Sequence, residues 1–464
     1  MNLGFIESKT FDEIAVGDTA TTDHVLTQDD AMAFASISGF TAVLSQDEVI
    51  ERTGGIPPTG PNMWCASLIS GLFSMHIPGP GVTLTSISLA FHNRIHVGDR
   101  ILVQIKVTAK DDASQVVSFD CEAHNGAGLS IFTGTAQAIP PTKKLRWSTL
   151  PVPQLIVNNP YRRYNEMIAR ATAKPAVRTA IAWPCDEVSL GGAIQAYKDK
   201  LIVPVLVGAE DKIREVAKAL NLSLDGVRIV DISDSRSAAA RAVELARKGE
   251  VEMLMKGSLH TDEIMGAVVS REGGMRTGRR ISHVFALDVP MYHKTLFVTD
   301  AAINIQPDLE TKISILQNAI DMMLTLEVVD PKVAILSAVE SVNPAIPSTL
   351  DAAALCKMVD RGQITGAIVD GPLAFDNAIS SDAARIKKIT SKVAGDVDLL
   401  MVPNLEAGNI LFKELQYLAG ALAAGVVVGA KVPIVLTSRA DGELARMASC
   451  ALGVLLAKPP QVRE

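Results

Sequence analysis

The segment Lys431–Glu443, KVPIVLTSRADGE, joins an apolar run directly to a hydroxyl and a guanidinium. Residues 432–437 are mostly apolar, which is typical of a buried strand. Ser438 and Arg439 follow at once, so both are predicted to lie at the carboxyl end of that strand. A hydroxyl beside a permanent cation can donate hydrogen bonds to a phosphate or to a carbonyl oxygen that gains negative charge. The pattern therefore predicts a site that binds an oxyanion.

Four further apolar runs also end in polar or small residues. These residues are Lys256 and Gly257 in EMLMKGSLHT, Asp300 in LFVTDAAINI, Asp370, Asp376 and Asn377 in GAIVDGPLAFDNAIS, and Asn404, Glu406 and Asn409 in LLMVPNLEAGNILFK. In open α/β sheets, ligands bind beyond the carboxyl ends of the strands. Each residue also has an ordinary structural interpretation, as a helix cap, a turn residue or a solvated charge. The recurrence at five strand ends favours a binding site.

A glycine-rich loop, SREGGMRTGRRISH, carries Arg271, Arg276, Arg279 and Arg280. Such a loop can hold a terminal phosphate, and a solvated basic loop is the alternative. The sequence lacks G-x-x-x-x-G-K-[ST] and G-x-G-x-x-G, so a P-loop nucleotidase and a standard dinucleotide-binding protein are disfavoured. His92 and His96 have no cysteine or acidic ligands nearby in the sequence, and no metal site is predicted.

Composition favours a globular protein that acts on small molecules. The chain has 464 residues, of which 48% are hydrophobic and 20% charged, so large cores can form. A net charge of -7 argues against nucleic acid as a partner. Five widely spaced cysteines without a C-x-x-C pair predict reduced thiols and a cytoplasmic location. The most apolar stretch, LAGALAAGVVVGAKVPIVL, is interrupted by glycine, lysine and proline, which predicts a buried helix, a turn and a strand, with no membrane span.

A proline-rich segment divides the chain into two domains. We predict an α+β domain over residues 1–142, a linker over 143–159 and an α/β domain over 160–464. The first part shows a buried helical pattern followed by strands of period two, which predicts a helix wrapped by an antiparallel sheet. The second part alternates ten short apolar runs with helical stretches, which predicts a three-layer, parallel-sheet domain with two lobes and a cleft.

The motifs MKGSLHT, LFVTDAAINIQPDLETKISILQNAI, DGPLAFDNAIS, VPNLEAGNILFK and VPIVLTSRAD together resemble the phosphate acetyl/butyryltransferase family. The resemblance covers roughly residues 155–460. It implies a reversible reaction in which acyl-CoA and phosphate give acyl phosphate and free CoA. Coenzyme A is then a substrate, no cofactor is tightly bound and no metal is needed. The resemblance also places the catalytic pair at Ser438 and Arg439.

With that reaction, the remaining strand-end and loop residues become candidates for binding the substrate or CoA. They are Lys256, Gly257, Asp370, Asn377, Asn409, Arg279 and Arg280.

The base that takes the CoA thiol proton stays open. Phosphate acetyltransferases place an aspartate a few residues after the Ser-Arg pair, and a gapless count puts Ala445 at that position here. Asp441 or Glu443 can substitute, or Asp376 can reach in from another strand end.

The amino-terminal motifs FASISG, PGPG and FHNRIHVGDRI resemble MaoC-like hotdog domains of the (R)-specific enoyl-CoA hydratase type. That family carries an aspartate and a histidine in a segment S-G-D-x-N-P-x-H. Here the segment is SGFTAVLS, so Phe40 replaces the aspartate and Ser45 the histidine. Hydration needs a base and an acid. We therefore expect this domain to be inactive in hydration, with acyl-CoA binding or oligomer formation as its role.

Three functions follow from these patterns. The leading one is a phosphate acyltransferase for short acyl groups, acetyl or butyryl, with an inactive hotdog domain. The second is a bifunctional hydratase and acyltransferase, and the third is a non-catalytic protein that binds acyl-CoA or supports oligomerisation. Both domain types commonly self-associate, so a homo-oligomer is expected.

Overall fold

The computed structural model describes residues 5–39, 59–60, 62–148, 162–270, 274–436 and 442–458. The chain divides into two compact units, residues 1–158 and 159–464. Residues 146–148 of the predicted linker form a strand that pairs with residues 5–7. Residues 143–145 of that linker are also described, whereas residues 149–159 lie outside the described residues. The exact domain boundaries remain a prediction.

The described part of the amino-terminal unit contains nine strands and two α-helices. The strands are β1 (Phe5–Glu7), β2 (Thr19–Val25), β3 (Thr59–Gly60), β4 (Thr83–Phe91), β5 (Ile95–His96), β6 (Arg100–Asp111), β7 (Val116–Asn125), β8 (Ser130–Ile139) and β9 (Arg146–Ser148), and the helices are α1 (Gln28–Ser38) and α2 (Asn62–Met75).

Local sequence signals explain these elements. Thr27 caps α1, because its hydroxyl accepts from the Asp30 N–H at 3.1 Å and its own N–H donates to the Asp30 carboxylate at 2.9 Å. Helix α2 is apolar on most sides and buries Cys65, Leu72 and Phe73. The antiparallel sheet, in the order β2-β6-β7-β8-β4, packs its inward side chains on that helix. The predicted α+β arrangement, a buried helix wrapped by an antiparallel sheet, is confirmed.

The carboxyl-terminal unit is built on one eleven-stranded sheet in the order β12-β11-β10-β13-β20-β19-β14-β15-β18-β16-β17. Its strands are β10 (Val177–Ala182), β11 (Ile202–Gly208), β12 (Arg228–Asp231), β13 (Met253–Lys256), β14 (Ser282–Asp288), β15 (Leu296–Thr299), β16 (Lys332–Leu336), β17 (Ile368–Leu373), β18 (Leu399–Met401), β19 (Leu422–Val428) and β20 (Ile434–Val435).

Helices separate most of these strands. In the described residues they are α3 (Arg162–Thr172), α4 (Glu187–Lys198), α5 (Glu210–Ala219), α6 (Ser235–Arg247), α7 (Thr261–Val269), α8 (Leu309–Thr325), α9 (Pro347–Asp360), α10 (Phe375–Ile379), α11 (Ser381–Ile386), α12 (Leu405–Tyr417) and α13 (Glu443–Leu456). Two large cores on this sheet, with a third around β15 and β18, bury its apolar side chains. The predicted α/β class is confirmed.

Strand direction divides the sheet into two groups. Strands β10, β11, β12, β13 and β20 are mutually parallel, and so are β15, β16, β17 and β18. Strand β19 is antiparallel to β20 and to β14, and β14 is antiparallel to β15. The two parallel groups therefore run in opposite directions. The carboxyl ends of the first group define what we call the first edge of the sheet, and those of the second group define the second edge.

One element was predicted wrongly. The stretch LAGALAAGVVVGA was expected to include a buried helix, but its residues 422–428 form strand β19. The three consecutive valines 426–428 favour an extended backbone, and the segment completes its hydrogen bonds between β14 and β20. Periodicity alone does not separate a short buried helix from a buried strand.

No helix in the described residues is long and apolar enough to cross a membrane. All five cysteines are described and free of disulfide bonds. Burial raises the pKa of the Cys450 thiol to about 12, which keeps it protonated.

Candidate active site

Lys256 ends strand β13 at the first edge. Only 6% of its surface is exposed, so it is a buried cation and not the solvated charge that its position also allowed. Strand β13 pairs with β20 through Met255 and Val435, which places Lys256 beside the point where β20 ends. The segment that carries the Ser-Arg pair begins two residues after Val435. The register therefore places buried Lys256 beside the end of β20, at the described residues that precede that segment.

Gly257 is required by backbone packing. A side chain at this position would place its Cβ 2.4 Å from the Trp183 carbonyl oxygen and 2.5 Å from that of Ala182. The Gly257 N–H donates to Ala182 at 2.9 Å, and the Ser258 N–H donates to Trp183 at 2.9 Å. These bonds press the chain after β13 against the end of β10 and so fix the position of Lys256.

The predicted catalytic residues Ser438, Arg439 and Asp441 lie outside the described residues. Their segment is bounded by two described positions, Leu436 after β20 and Gly442 before α13. The elements on both sides of the segment are held in the fold. Strand β20 lies within the sheet, and most residues of α13 are buried, including Arg446, Ala448 and Cys450. The roles of the three residues remain predictions.

Arg279 and Arg280 lie at the second edge, because they precede the amino end of β14. Arg279 forms an ion pair with Asp321 at 2.5 Å. The carbonyl oxygen of Arg280 accepts from the Asn318 amide at 2.8 Å. Both arginine side chains belong to exposed residues.

Asp300 follows β15 at the same edge and is 3% exposed. Its carboxylate accepts from the backbone N–H groups of residues 302, 303 and 304 at 3.0–3.1 Å and from the Asn304 amide at 2.6 Å. Burial raises the pKa of Asp300, while these hydrogen bonds oppose that rise. The Asn304 amide also donates to the Ile281 carbonyl at 2.9 Å. Asp300 therefore organises the loop that follows β15, and Asn304 joins this loop to the residue before β14 by a hydrogen bond.

Asn409 lies near the amino end of α12 and touches the same loop. Its amide donates to the Ala301 carbonyl oxygen at 3.4 Å. Gly408 approaches Ala301 closely, because a Cβ on Gly408 would lie 3.0 Å from the Ala301 Cα. Asn404 caps α12 by accepting from the Ala407 N–H at 3.0 Å. These contacts give Asn404 a structural role and bring Asn409 close to Asp300.

The remaining candidates lie at the far end of the sheet. Asp370 lies within β17, and its carboxylate accepts from the Gly371 N–H at 2.8 Å. Asp376 forms an ion pair with Lys387 at 3.1 Å, and that interaction lowers its pKa. Asn377 is fully buried, its amide donates to Glu340 at 3.3 Å and its oxygen has no partner in the structure.

Asp376 is distant from the Ser438 segment of its own chain. Strand β17 is the sixth strand beyond β20 in the sheet order. At about 4.8 Å per strand, this separation is roughly 29 Å. The segment between Leu436 and Gly442 has only five residues and cannot bridge that distance. The geometry thus disfavours Asp376 as the thiol base and leaves Asp441 and Glu443.

The structure does not bring all predicted site residues to one place. Lys256 and Gly257 lie at the first edge beside the Ser438 segment, whereas the arginines, Asn409, Asp376 and Asn377 lie at the second edge. The sequence did not indicate Asn304, Asn318 or Lys431 as parts of the second edge. A hydrogen bond from an asparagine amide to a carbonyl oxygen far away in the sequence leaves no local sequence pattern, so only the fold reveals it.

Comparison with known proteins agrees with this architecture. The family model described as phosphate acetyl/butaryl transferase matches residues 233–453. The phosphate acetyltransferase of Rhizobium meliloti is 58% identical over 295 residues, covering 64% of this chain and 93% of that protein. The phosphate butyryltransferase of Clostridium acetobutylicum is 40% identical, covering 64% of this chain and 98% of its own length.

A crystal structure of a branched-chain phosphotransacylase from Enterococcus faecalis V583 is also similar. It is 30% identical, with a TM-score of 0.54, and the match covers 60% of this chain and 98% of that chain. The fold and these matches define an acyltransferase of the α/β class. The chain belongs to the phosphate acetyl/butyryltransferase family.

Proposed function

We propose that this protein transfers a short acyl group, acetyl or butyryl, between CoA and inorganic phosphate through the Ser438 segment. The observation that carries the proposal is the burial of Lys256 beside the end of β20, the strand that precedes that segment in the sequence. Relatives at 58% and 40% identity are named phosphate acetyltransferase and phosphate butyryltransferase, which supports the reaction class.

In the direction of thioester formation, a base takes the proton of the CoA thiol. The thiolate then attacks the carbonyl carbon of the acyl phosphate, forming a C–S bond. The C–O bond to phosphate breaks, and inorganic phosphate leaves. Asp441 and Glu443 are the candidates for the base, because a base must reach the thiol directly or through one water.

Ser438 donates a hydrogen bond to the carbonyl oxygen as it becomes an oxyanion. Arg439 holds the phosphate and its charge, for which a planar guanidinium is well suited. Lys256 adds a buried positive charge next to the same segment, and such a charge acts strongly where water is excluded. Lys256 therefore favours the negatively charged transition state over the neutral thioester.

The acyl chain length needs a direct measurement, because one methylene changes binding only modestly, by about 1 kcal/mol. Acetyl-, propionyl- and butyryl-CoA are incubated separately with phosphate, and the release of free CoA is followed. The proposal expects phosphate-dependent CoA release with at least one of the three. No release with any of them would contradict it.

We propose that the hotdog domain does not hydrate double bonds, because Phe40 and Ser45 stand where a base and an acid are needed. Both residues lie outside the described residues. Crotonyl-CoA is the test substrate. Hydration that survives Ser438→Ala would instead support the bifunctional alternative.

We also propose that the chain forms a homo-oligomer. Strand β4 lies at the edge of its sheet and exposes Leu84, Ile87 and Phe91. An apolar edge strand of nine residues is a ready surface for pairing with a second copy. Light scattering on the purified chain gives the mass that checks this proposal.

A further inference from the structure

We propose that Trp183 is a positioning residue for the buried cation Lys256. The backbone of Trp183 has a left-handed conformation that directs its carbonyl oxygen to the turn after β13, and this turn sets where the Lys256 ammonium lies. The inference rests on the proposed acyltransferase function, in which Lys256 stabilises the transition state. It adds to the first edge a residue that follows the neighbouring strand β10.

The backbone conformation of Trp183 is unusual for its side chain. Trp183 directly follows β10 and has φ +57°. A left-handed backbone is rare for a bulky residue and costs energy. Pro184 comes next, and a residue before proline prefers an extended backbone, which adds to that cost. Such conformations persist only where the surrounding structure enforces them, and they concentrate at functional sites.

The hydrogen bonds of Trp183 show what the left-handed backbone achieves. In an extended strand, the N–H and the C=O of one residue point to the same neighbouring strand. The Trp183 N–H donates to the Val207 carbonyl oxygen on β11 at 2.7 Å, whereas the Trp183 carbonyl oxygen accepts from the Ser258 N–H after β13 at 2.9 Å. The Ser258 hydroxyl donates to the same oxygen at 2.9 Å. The positive φ therefore turns this carbonyl away from β11 and towards the turn after β13.

The turn after β13 determines the position of the Lys256 side chain. The Gly257 N–H donates to the Ala182 carbonyl oxygen at 2.9 Å, so the end of β10 and Trp183 hold two consecutive residues of the turn. The Lys256 Nζ donates to the Gly257 carbonyl oxygen at 3.5 Å, and Lys256 is 6% exposed. A shift of the turn therefore moves the acceptor of the ammonium. A displacement of about 1 Å near reacting atoms can change a rate about 100-fold.

The indole ring of Trp183 anchors the left-handed backbone. A Cβ built on Gly208, the last residue of β11, would lie 3.4 Å from the Trp183 Cε3, so the ring lies against the end of that strand. The Lys212 Nζ of α5 lies 5.4 Å from the ring centroid, within the range of a cation–π interaction. The ring is also packed against the core that contains Val207 and Leu254. These contacts hold the side chain on β11 while the carbonyl oxygen binds the turn after β13.

Three substitutions separate the backbone of Trp183 from its ring. Trp183→Phe keeps an aromatic anchor. Trp183→Gly removes the anchor but adopts positive φ readily, whereas Trp183→Ala removes the anchor and disfavours positive φ. Lys200→Ala is the matched control, because Lys200 also has a positive φ, +59°, but is exposed and precedes β11 at the opposite edge. The kcat and the KM values are measured with acetyl phosphate and CoA on the full-length chain.

We expect Trp183→Ala to lower kcat about tenfold or more, because the Lys256 ammonium loses its position. The KM for acetyl phosphate and that for CoA should change by less than about twofold, because the lost interaction is one that stabilises the transition state. Trp183→Phe should keep most of the wild-type kcat, and the kcat of Trp183→Gly should lie between those of the Phe and Ala variants. Lys200→Ala should leave kcat unchanged.

A double-variant cycle tests whether Trp183 acts through Lys256. Lys256→Met removes the buried charge and keeps an unbranched side chain. Trp183→Ala added to Lys256→Met should lower kcat by less than about twofold further, because the cation that Trp183 positions is already absent. A further loss as large as that of Trp183→Ala alone would overturn the proposal, as would equal kcat values for the folded Gly and Ala variants. Trp183→Gly takes the place of Trp183→Ala in the cycle should the latter not fold.

A measurement without turnover separates this proposal from the proposed function. The rate at which acetic anhydride acetylates Lys256, relative to the exposed Lys218, is read by mass spectrometry of the folded chain. Relative acetylation should rise about fivefold or more in the Ala or Gly variant of Trp183, because a loosened turn opens the buried ammonium to solvent, and should stay unchanged in Trp183→Phe. Unchanged acetylation in both the Ala and the Gly variant would overturn the positioning role. A wild type without acyl transfer would instead refute the proposed function.

Discussion

His283 makes the stability of the carboxyl-terminal unit sensitive to acid. It lies on β14 and is 1% exposed, and its Nδ1 has no partner in the structure. The ring packs 4.3 Å from the Phe285 ring, and a Cβ built on Gly425 would lie only 3.0 Å from it. Burial lowers the pKa of His283 from 6.5 to about 3. The imidazole therefore stays neutral in the folded chain well below neutral pH.

The sign of the pH dependence follows from this lowered pKa. Below pH 6.5 the unfolded chain binds a proton at His283 and the folded chain does not. The contribution of the neutral ring to the free energy of unfolding is fully present above pH 6.5. It is lost progressively as the pH falls towards 3. One pH unit corresponds to about 1.4 kcal/mol, so the loss between pH 7 and pH 5 is about 2 kcal/mol.

The assay is urea unfolding of the full chain at pH 7 and pH 5, for wild type, His283→Phe and His283→Gln. The wild type should lose about 2 kcal/mol more between the two pH values than either variant does. His76→Gln is the control, because His76 is an exposed residue and should leave the difference unchanged. Variants that lose as much stability as the wild type would refute the assignment to His283.

Two further predictions concern the site. Gly257→Ala should lower the free energy of unfolding by about 2 kcal/mol or more, because its Cβ meets the carbonyl oxygen of Trp183; thermal melting measures this, and an unchanged midpoint would contradict the packing argument. Asp376→Asn should change kcat by less than about threefold. Of the variants Asp441→Asn and Glu443→Gln, the one that removes the base should lower kcat about 100-fold. Initial rates with acetyl phosphate and CoA measure these effects on kcat. A large loss of kcat in Asp376→Asn would make Asp376 a candidate for the base again.

The sequence was sufficient to predict most elements of the fold. The alternating pattern of β6 and β7, with Val103 and Phe119 buried, and the cap at Thr27 carry their structural signal within a few residues. Such local signals also predicted ten of the eleven strands of the α/β unit. The residues of β19 were misassigned, because a short apolar run is compatible with a buried helix or a buried strand until its partners are known.

The candidate site was harder to predict, because strand direction is not a local property. Polar residues recur at five strand ends. Because β14 and β19 are antiparallel to their neighbours, the two parallel groups of strands run in opposite directions, and these ends lie at opposite edges of the sheet. Asp376 thereby lies far from the Ser438 segment, whereas Lys256 lies beside it. The contact between Asn318 and Arg280 joins residues 38 positions apart, and no spacing rule predicts it.

The rate of acetyl-CoA formation by Ser438→Ala, measured through thioester absorbance with acetyl phosphate and CoA, tests the central claim most directly. Loss of one oxyanion donor should lower kcat about 10²–10³-fold while the folded state is retained, as checked by circular dichroism. A folded Ser438→Ala variant with wild-type kcat would contradict the account.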